Sequence, residues 1–140
     1  SRLDSIQAAV LLAKFPYLAA WGARRRDIAA LYTAAFAGVA GVTPPPVDPA
    51  NEHIFHQYTI RAERREALLA HLKSRGIGHK VYYPLALHLQ PCFEYLGVRA
   101  GALPITERAT AEVVSLPIYP ELTSAQTDAV IAAVREFYQG

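Results

Sequence analysis

The chain has one cysteine and no methionine, and its only lysines among 140 residues are Lys14, Lys73 and Lys80. Cys92 has no partner for an intramolecular disulfide, which fits a reducing, cytoplasmic location, and we expect it to be a packed, inert thiol. A missing initiator methionine indicates a shortened start or a piece of a longer protein. No signal-peptide pattern is visible, and no uninterrupted apolar run reaches the ~18 residues of a membrane span.

Charge and histidine spacing exclude several kinds of site. The formal net charge is only +2, so no strong field favours nucleic acid or an anionic membrane. The longest basic run, Arg24 to Arg26, is typical of a solvated helix face. His53 and His56 are three apart on a predicted strand and face opposite sides, so we expect no metal site. No glycine-rich loop precedes a helix to hold a phosphate group.

Apolar spacing predicts two N-terminal helices and then a break. Residues 3–14 follow a helical period, and Pro16 fits the first turn of a second helix that ends near residue 37. Four prolines make 42–51 an extended connector. We expect both helices to keep an apolar face that needs a partner. Its members are Leu3, Ile6 and Val10 in the first helix, and Leu18, Trp21, Ile28 and Tyr32 in the second.

The remainder alternates strands and helices. Strands are predicted at 53–62, 78–83 and 114–117, and helices at 63–75, 103–114 and 123–138. Thr106 is the expected N-cap of the middle helix, and Thr123 with Gln126 forms a capping box for the last one. The predicted fold class is α+β, with long N-terminal helices and a small, mostly antiparallel sheet covered by helices on one face. The predicted division is a helical interface segment 1–37, a Pro-rich link 38–52 and a small domain 53–140.

Three stretches carry the residues of greatest chemical interest. They read Lys-Val-Tyr-Tyr-Pro-Leu-Ala-Leu-His-Leu-Gln-Pro at 80–91, Ser-Arg-Leu-Asp-Ser-Ile-Gln-Ala-Ala at 1–9, and Leu-Pro-Ile-Tyr-Pro-Glu-Leu-Thr at 116–123. Together they resemble the DegT/DnrJ/StrS sugar aminotransferases, which use pyridoxal phosphate. The resemblance extends from Ser1 to the end of the chain. It implies the C-terminal part of such an enzyme, with the small domain of the aspartate aminotransferase type, fold type I.

The resemblance also implies where the cofactor chemistry lies. In the family, the Schiff-base lysine and the aspartate at the ring nitrogen precede the point where this sequence starts. Lys80 is the best internal candidate for a Schiff base, yet it lacks the phosphate cradle that the cofactor needs. We therefore expect no catalytic residue and no bound pyridoxal phosphate in this chain, and a missing N-terminal large domain that supplies both.

Substrate contacts are implied for three residues. Tyr83 and His88 match the family element Tyr-Pro-x-x-x-His, which contacts the sugar nucleotide, and Arg2 matches an arginine at the active site of the homodimer partner. Tyrosine and histidine can hydrogen-bond hydroxyl and phosphate groups while keeping an apolar body, which suits this role. Aromatic packing at a strand end, and a surface charge for Arg2, remain the structural alternatives. Tyr82 alternates with Tyr83, so we expect it in the core.

The function that the resemblance implies is transfer of an amino group, with glutamate as the expected donor, to a keto-sugar nucleotide. The isolated chain is expected to be inactive. Two alternatives stay open. One is a regulatory, DNA-binding protein, since some family members are called pleiotropic regulators; a helix-turn-helix would need a short turn and a basic recognition helix. The other is a stand-alone interaction domain with no enzymatic parent.

Overall fold

A computed structural model describes residues 3–140 of the chain. Arg2, which was predicted to contact substrate, therefore lies outside the described residues. The first helix, α1, spans Ser5–Lys14, and Asp4 caps it by accepting the N–H of Ile6 at 2.8 Å. A 3-10 turn at Phe15–Tyr17, with Pro16 inside it, leads directly into α2, Leu18–Phe36. The two predicted N-terminal helices are confirmed.

Three short antiparallel strands form the only sheet within residues 3–140. They are β1, Val42–Thr43; β2, Tyr58–Ala62; and β3, Val113–Leu116. The order is β1-β2-β3, with Val42 opposite Ala62 and Ile60 opposite Val114. On β2, Tyr58, Ile60 and Ala62 are buried, whereas the residues between them are only partly covered. One face of the sheet is therefore the core face, as period-two alternation requires.

Three further helices complete the domain: α3, Arg65–Ser74; α4, Pro104–Glu112; and α5, Ser124–Gln139. The predicted capping box at α5 is confirmed. The Thr123 hydroxyl accepts the Gln126 N–H at 3.2 Å, and the Gln126 amide oxygen accepts the Thr123 N–H at 2.9 Å. Two 3-10 turns, Leu87–Leu89 and Pro91–Leu96, lie between α3 and α4.

Three local predictions are wrong. The strand predicted at 53–62 begins only at Tyr58, because the preceding residues have no pairing partner. The stretch 78–83 forms a single bridge, Lys80 with Ser115, while β1 comes from the connector instead. Thr106 is not the N-cap of α4, because Pro104 occupies the first turn and fixes a helical φ there.

The core lies between the buried face of the sheet and α2, α3 and α5. The core includes the C-terminal half of α2 as well as residues of the sheet, α3 and α5, so it crosses both predicted boundaries, at residues 37 and 53. The division of the chain into three segments stays a prediction. The fully covered large side chains are Ile28, Tyr32 and Phe36 from α2, Tyr58 and Ile60 from β2, Leu68 and Leu72 from α3, Val114 from β3, and Val134 from α5.

The N-terminal end of this helical segment has no cover. α1 buries none of its residues, and Leu3, Ile6, Val10 and Leu18 are exposed, as predicted. Trp21 is partly covered. The prediction that Ile28 and Tyr32 belong to this open face is wrong. Both are fully buried, because the C-terminal half of α2 packs its apolar face against the core.

This segment contains no uninterrupted apolar run of 18 residues, as predicted, yet it passes a less strict test for a membrane span. Ser5–Phe36 includes an 18-residue window with a mean hydropathy of 1.2, which is long and apolar enough to cross a membrane by length and composition alone. The core helix of a soluble protein and a signal sequence near an N-terminus pass the same test, so one such helix is weak evidence for a membrane span.

Arg25 ties α2 to two other parts of the chain. Its guanidinium donates from Nη1 to the carbonyl oxygen of Ile118 at 2.9 Å, and to those of His56 at 3.2 Å and Phe55 at 3.3 Å. Its neighbour Arg26 makes only an ion pair with the exposed Glu52. The two adjacent arginines thus have very different structural roles.

We expect Arg25→Ala to lower the free energy of unfolding by about 2–3 kcal/mol, because it leaves partly buried carbonyl groups without a charged donor. Arg26→Ala is the matched control and should cost less than about 1 kcal/mol, as is usual for an exposed ion pair. Urea unfolding followed by the fluorescence of Trp21 measures both. Equal losses in the two variants would contradict this role for Arg25.

Candidate functional site

The segment that carries the predicted substrate contacts leaves the sheet at Lys80. The Lys80 N–H donates to the Ser115 carbonyl oxygen at 3.1 Å, and the Ser115 N–H donates back at 2.7 Å. From there residues 81–103, called here the 81–103 loop, run without strand pairing to α4. Tyr83 is 59% exposed and directed away from the core. Tyr82 is 48% exposed, so its predicted place in the core is wrong, because no strand forms to set the alternation.

A groove of about 460 Å³ lies beside the start of this loop. Its lining combines the loop, the turn before β2 and the chain after β3. The polar side chains on it are those of His56, Gln57, His79, Lys80, Tyr82 and Ser115. None of these is a carboxylate, so the groove suits a polar or anionic group better than a cation.

Tyr32 fixes the far wall of that groove. Its hydroxyl donates to the Pro117 carbonyl oxygen at 2.9 Å, directly after β3. Burial raises the pKa of Tyr32 well above its ordinary value, so the hydroxyl stays protonated and remains a donor. The contact gives the Leu-Pro-x-x-Pro stretch at 116–120 a structural role, because one of its carbonyl groups is fixed to α2.

His88 lies at the other end of the loop and is nearly buried. Its side chain is 8% exposed, and Nε2 lies 3.1 Å from Oε1 of Glu107. The same carboxylate accepts the Gly101 N–H through both oxygens at 2.9 Å and the Leu103 N–H at 3.2 Å. We call these four residues the Glu107 node. It joins the first turn of α4 to two distant points of the 81–103 loop.

The node was not predicted from the sequence. The available signal was an acidic residue in the first turn of α4, just after Gly101, because such a carboxylate reaches back to free N–H groups. Nothing in the spacing pairs it with His88, which lies 19 residues earlier. The Gly101 N–H and then the His88 contact hold the pKa of Glu107 below its ordinary value.

Within residues 3–140 no group of three metal-ligating side chains lies together. Cys92 is exposed, so the prediction of a packed thiol is wrong; it lies in the short 3-10 turn Pro91–Leu96, not in the core.

The residues present do not fit pyridoxal phosphate. Lys80, the best internal candidate for a Schiff base, is exposed at the sheet edge. Three of the five α-helix N-termini within residues 3–140 are already occupied by side chains, and neither the N-terminus of α2 nor that of α3 follows a glycine-rich loop. Asp4 caps α1, Thr123 caps α5, and the carboxylate of Glu107 serves the start of α4. We therefore assign no catalytic step to the cofactor within this chain.

Comparisons with known proteins agree on one group. Residues 1–135 match the profile of the DegT/DnrJ/EryC1/StrS aminotransferase family. The "Pleiotropic regulatory protein" of Geobacillus stearothermophilus is 50% identical over 99% of this chain and 38% of its own length. The dTDP-3-amino-3,4,6-trideoxy-alpha-D-glucose transaminase of Streptomyces venezuelae is 41% identical over 98% of this chain and 36% of its own length.

Solved structures give the same result for the fold. The structure of S. venezuelae DesV in complex with a ketimine intermediate superposes with a TM-score of 0.96 at 40% identity, covering 99% of this chain and 38% of that one. A DegT DnrJ EryC1 StrS aminotransferase from Brucella abortus gives 0.91 at 37% identity, covering 99% and 37%. The predicted fold class is confirmed. The chain spans well under half the length of each of these relatives.

The Glu107 node predicts a specific pH dependence of stability. Because the pKa of Glu107 is lower in the folded chain than its ordinary 4.5, the ionised carboxylate stabilises the fold above about that pH. The stabilisation is lost as the pH falls through the folded value. We expect Glu107→Gln to be less stable than the unchanged chain at pH 7, with the difference shrinking below about pH 4.5. Urea unfolding at a series of pH values, with the exposed Glu121→Gln as control, measures this; a difference independent of pH would contradict it.

Proposed function

Because the chain belongs to the DegT/DnrJ/EryC1/StrS aminotransferase family, we propose that it is the C-terminal part of an enzyme that aminates a keto-sugar nucleotide. The observation that carries this proposal is the near-complete match of the chain to the corresponding third of sugar transaminases. Glutamate is the proposed amino donor, and pyridoxal phosphate the proposed cofactor of the whole protein. Bound there, the cofactor supplies the site that carries the amino group between the two substrates.

This chain's proposed part is to contact the sugar nucleotide. Tyr83 supports the proposal, because it is 59% exposed, combines a hydroxyl with an apolar ring, and directly follows Tyr82, which lines the polar groove. A sugar nucleotide offers hydroxyl and phosphate groups that such a side chain can bind. His88 is the second proposed contact, and Arg2 the third, acting at the site of the partner subunit.

The open N-terminal face suits a protein partner. α1 exposes Ile6 and Leu12, at 76% and 73%, over a helix that buries nothing. Relatives of the chain are more than twice as long, so a large part of each has no counterpart here. We propose that an N-terminal large domain and a second copy of the enzyme cover this face in a cytoplasmic homodimer, with no membrane involved.

The pleiotropic regulatory relative is the observation that favours the alternative function, a DNA-binding regulator. The arginines of the longest basic run, which could bind DNA, already have partners within the fold. Arg24 donates to the Leu122 carbonyl oxygen at 3.0 Å, Arg25 to three carbonyl groups, and Arg26 pairs with Glu52. The longest basic run is thus engaged within the fold, and nucleic acid is not a proposed partner. The other alternative is a stand-alone interaction domain. It requires that the gene sequence upstream of this chain lacks the Schiff-base lysine of the family.

The isolated chain should not hold pyridoxal phosphate in a specific Schiff base, because Lys80 is exposed and has no phosphate cradle beside it. Absorption spectra of the chain mixed with the cofactor test this, with Lys80→Ala and Lys73→Ala as paired variants. We expect all three spectra to match that of the free cofactor with a simple amine. A distinct visible band that only Lys80→Ala removes would show a cofactor site in this chain.

In the full-length gene product, His88→Ala should reduce kcat/KM for the sugar nucleotide about ten- to hundredfold, equivalent to about 1.5–3 kcal/mol, because one or two hydrogen bonds to polar groups are lost. Tyr83→Phe should give a smaller loss of the same kind. The amino-donor half-reaction should be unchanged, since that substrate does not use the loop. Stopped-flow measurement of each half-reaction separates the two.

Tyr17→Phe is the matched control, because Tyr17 is as exposed as Tyr83 but stacks on Trp21 far along the chain from the loop. Equal losses in both half-reactions would indicate a folding or cofactor defect. No loss in either would remove Tyr83 and His88 from the substrate site, and a full-length protein without any transaminase activity would refute the proposed function.

A further inference from the structure

Four hydrogen bonds converge on one carboxylate of the chain. Glu107 accepts from Gly101 through both of its oxygens and from Leu103 and His88 through Oε1. Its side chain is about one quarter exposed, and that of His88 less than one tenth. An exposed carboxylate that only compensated a helix dipole would need none of these loop contacts.

The loop that Glu107 holds has few other attachments. Residues 81–103 make no strand pairing, and Ala86 is the only buried residue among them. At one end the loop is fixed by the Lys80–Ser115 bridge, and at the other by the Glu107 node. Between these two points its hydrogen bonds are local, within the two 3-10 turns and the bends that follow them.

The contact to His88 also fixes the chemistry of its ring. A carboxylate beside Nε2 requires the proton to be on Nε2, because a carboxylate only accepts hydrogen bonds. In the neutral imidazole, Nδ1 is then an acceptor. Nδ1 makes no hydrogen bond to any part of the chain that the structure describes. The ring is therefore oriented and has one acceptor left.

We propose that Glu107 is a positioning residue for sugar-nucleotide binding: it holds the 81–103 loop closed against α4 and fixes His88 so that Nδ1 accepts a hydrogen bond from a hydroxyl group of the sugar. This rests on the proposed function and goes beyond it, because Glu107 itself does not touch substrate. It acts on substrate through His88, and the amides of Gly101 and Leu103 hold its carboxylate in place for that contact. The arrangement follows a general pattern in which a carboxylate fixes the tautomer of a functional histidine.

The test uses the full-length gene product with Glu107→Ala, His88→Ala and the double variant. Glu107→Ala should raise KM for the sugar nucleotide about tenfold, with kcat changed less and the amino-donor half-reaction unchanged. Because the two residues act as a unit, the double variant should be within about twofold of His88→Ala alone. Multiplied losses in the double variant, or an unchanged KM in Glu107→Ala, would overturn the proposal.

Glu107→Gln keeps the size of the side chain and one acceptor oxygen. It should therefore fold even if Glu107→Ala is unstable, and its KM for the sugar nucleotide should lie between those of Glu107→Ala and the unchanged enzyme. Glu112→Ala is the matched control. It removes a carboxylate from the same helix, but its partner is Arg61 on β2, at 2.5 Å, so KM should stay unchanged. An equal rise of KM in Glu112→Ala would show that only the stability of α4 matters and would overturn the proposal.

Hydrogen exchange separates this proposal from the proposed function. In the same full-length protein, the amides of Gly101 and Leu103 should exchange about ten times faster in Glu107→Ala, and unchanged in Glu112→Ala. If the protein shows no sugar transamination, the proposed function fails, and unchanged exchange at these two amides then overturns the positioning role as well. Faster exchange with an unchanged KM would refute the substrate role but not the contact.

Discussion

The contact between Tyr32 of α2 and Tyr58 of β2 supports the rest of the structure. Both side chains are fully buried, with ring centroids 5.1 Å apart. Each hydroxyl group also has a partner: Tyr32 donates to the Pro117 carbonyl oxygen, and Tyr58 lies 2.9 Å from the Thr33 hydroxyl. Two large aromatic rings can be buried here only because their polar ends are satisfied. The pair fixes α2 across the middle strand and fixes the chain after β3 to the same helix.

This attachment divides the N-terminal helical segment into two unlike halves. From Ile28 onward the large apolar residues Ile28, Tyr32 and Phe36 enter the core, whereas no residue of α1 is buried and Leu18 is exposed. Apolar spacing predicts an uncovered face in both halves, because spacing shows that residues are apolar but not what covers them. The apolar, uncovered half is also what satisfies the length and composition test for a membrane span. Family membership gives the simpler explanation, because sugar aminotransferases of this family are much longer than this chain.

The features that sequence predicted well are local ones. The capping box of Thr123 and Gln126 depends on residues three apart, and the two N-terminal helices depend on spacing within one segment. The family resemblance was also carried by short motifs and is confirmed by the match over residues 1–135. The errors concern partners distant in sequence. Lys80 to Tyr83 has the composition of a strand, but only one residue finds a partner, so Tyr82 stays exposed. Strand propensity shows that a segment can fit into a sheet, but it does not show whether a neighbouring strand is there to pair with it.

The candidate site shows the same limit. Tyr83 and His88 were found as a motif, but their environments differ in a way that no motif reports: one is exposed, and the other is held by Glu107. The loop between them leaves a rigid core at Lys80 and rejoins it at α4, so its shape depends on two attachments more than on its own packing. Substitutions at the exposed residues of such a loop should cost the core little stability, because few of these residues contribute buried area. The two attachments cannot change so freely. Since the bridge at Ser115 uses only backbone atoms, the Glu107 carboxylate is the attachment most sensitive to a single substitution.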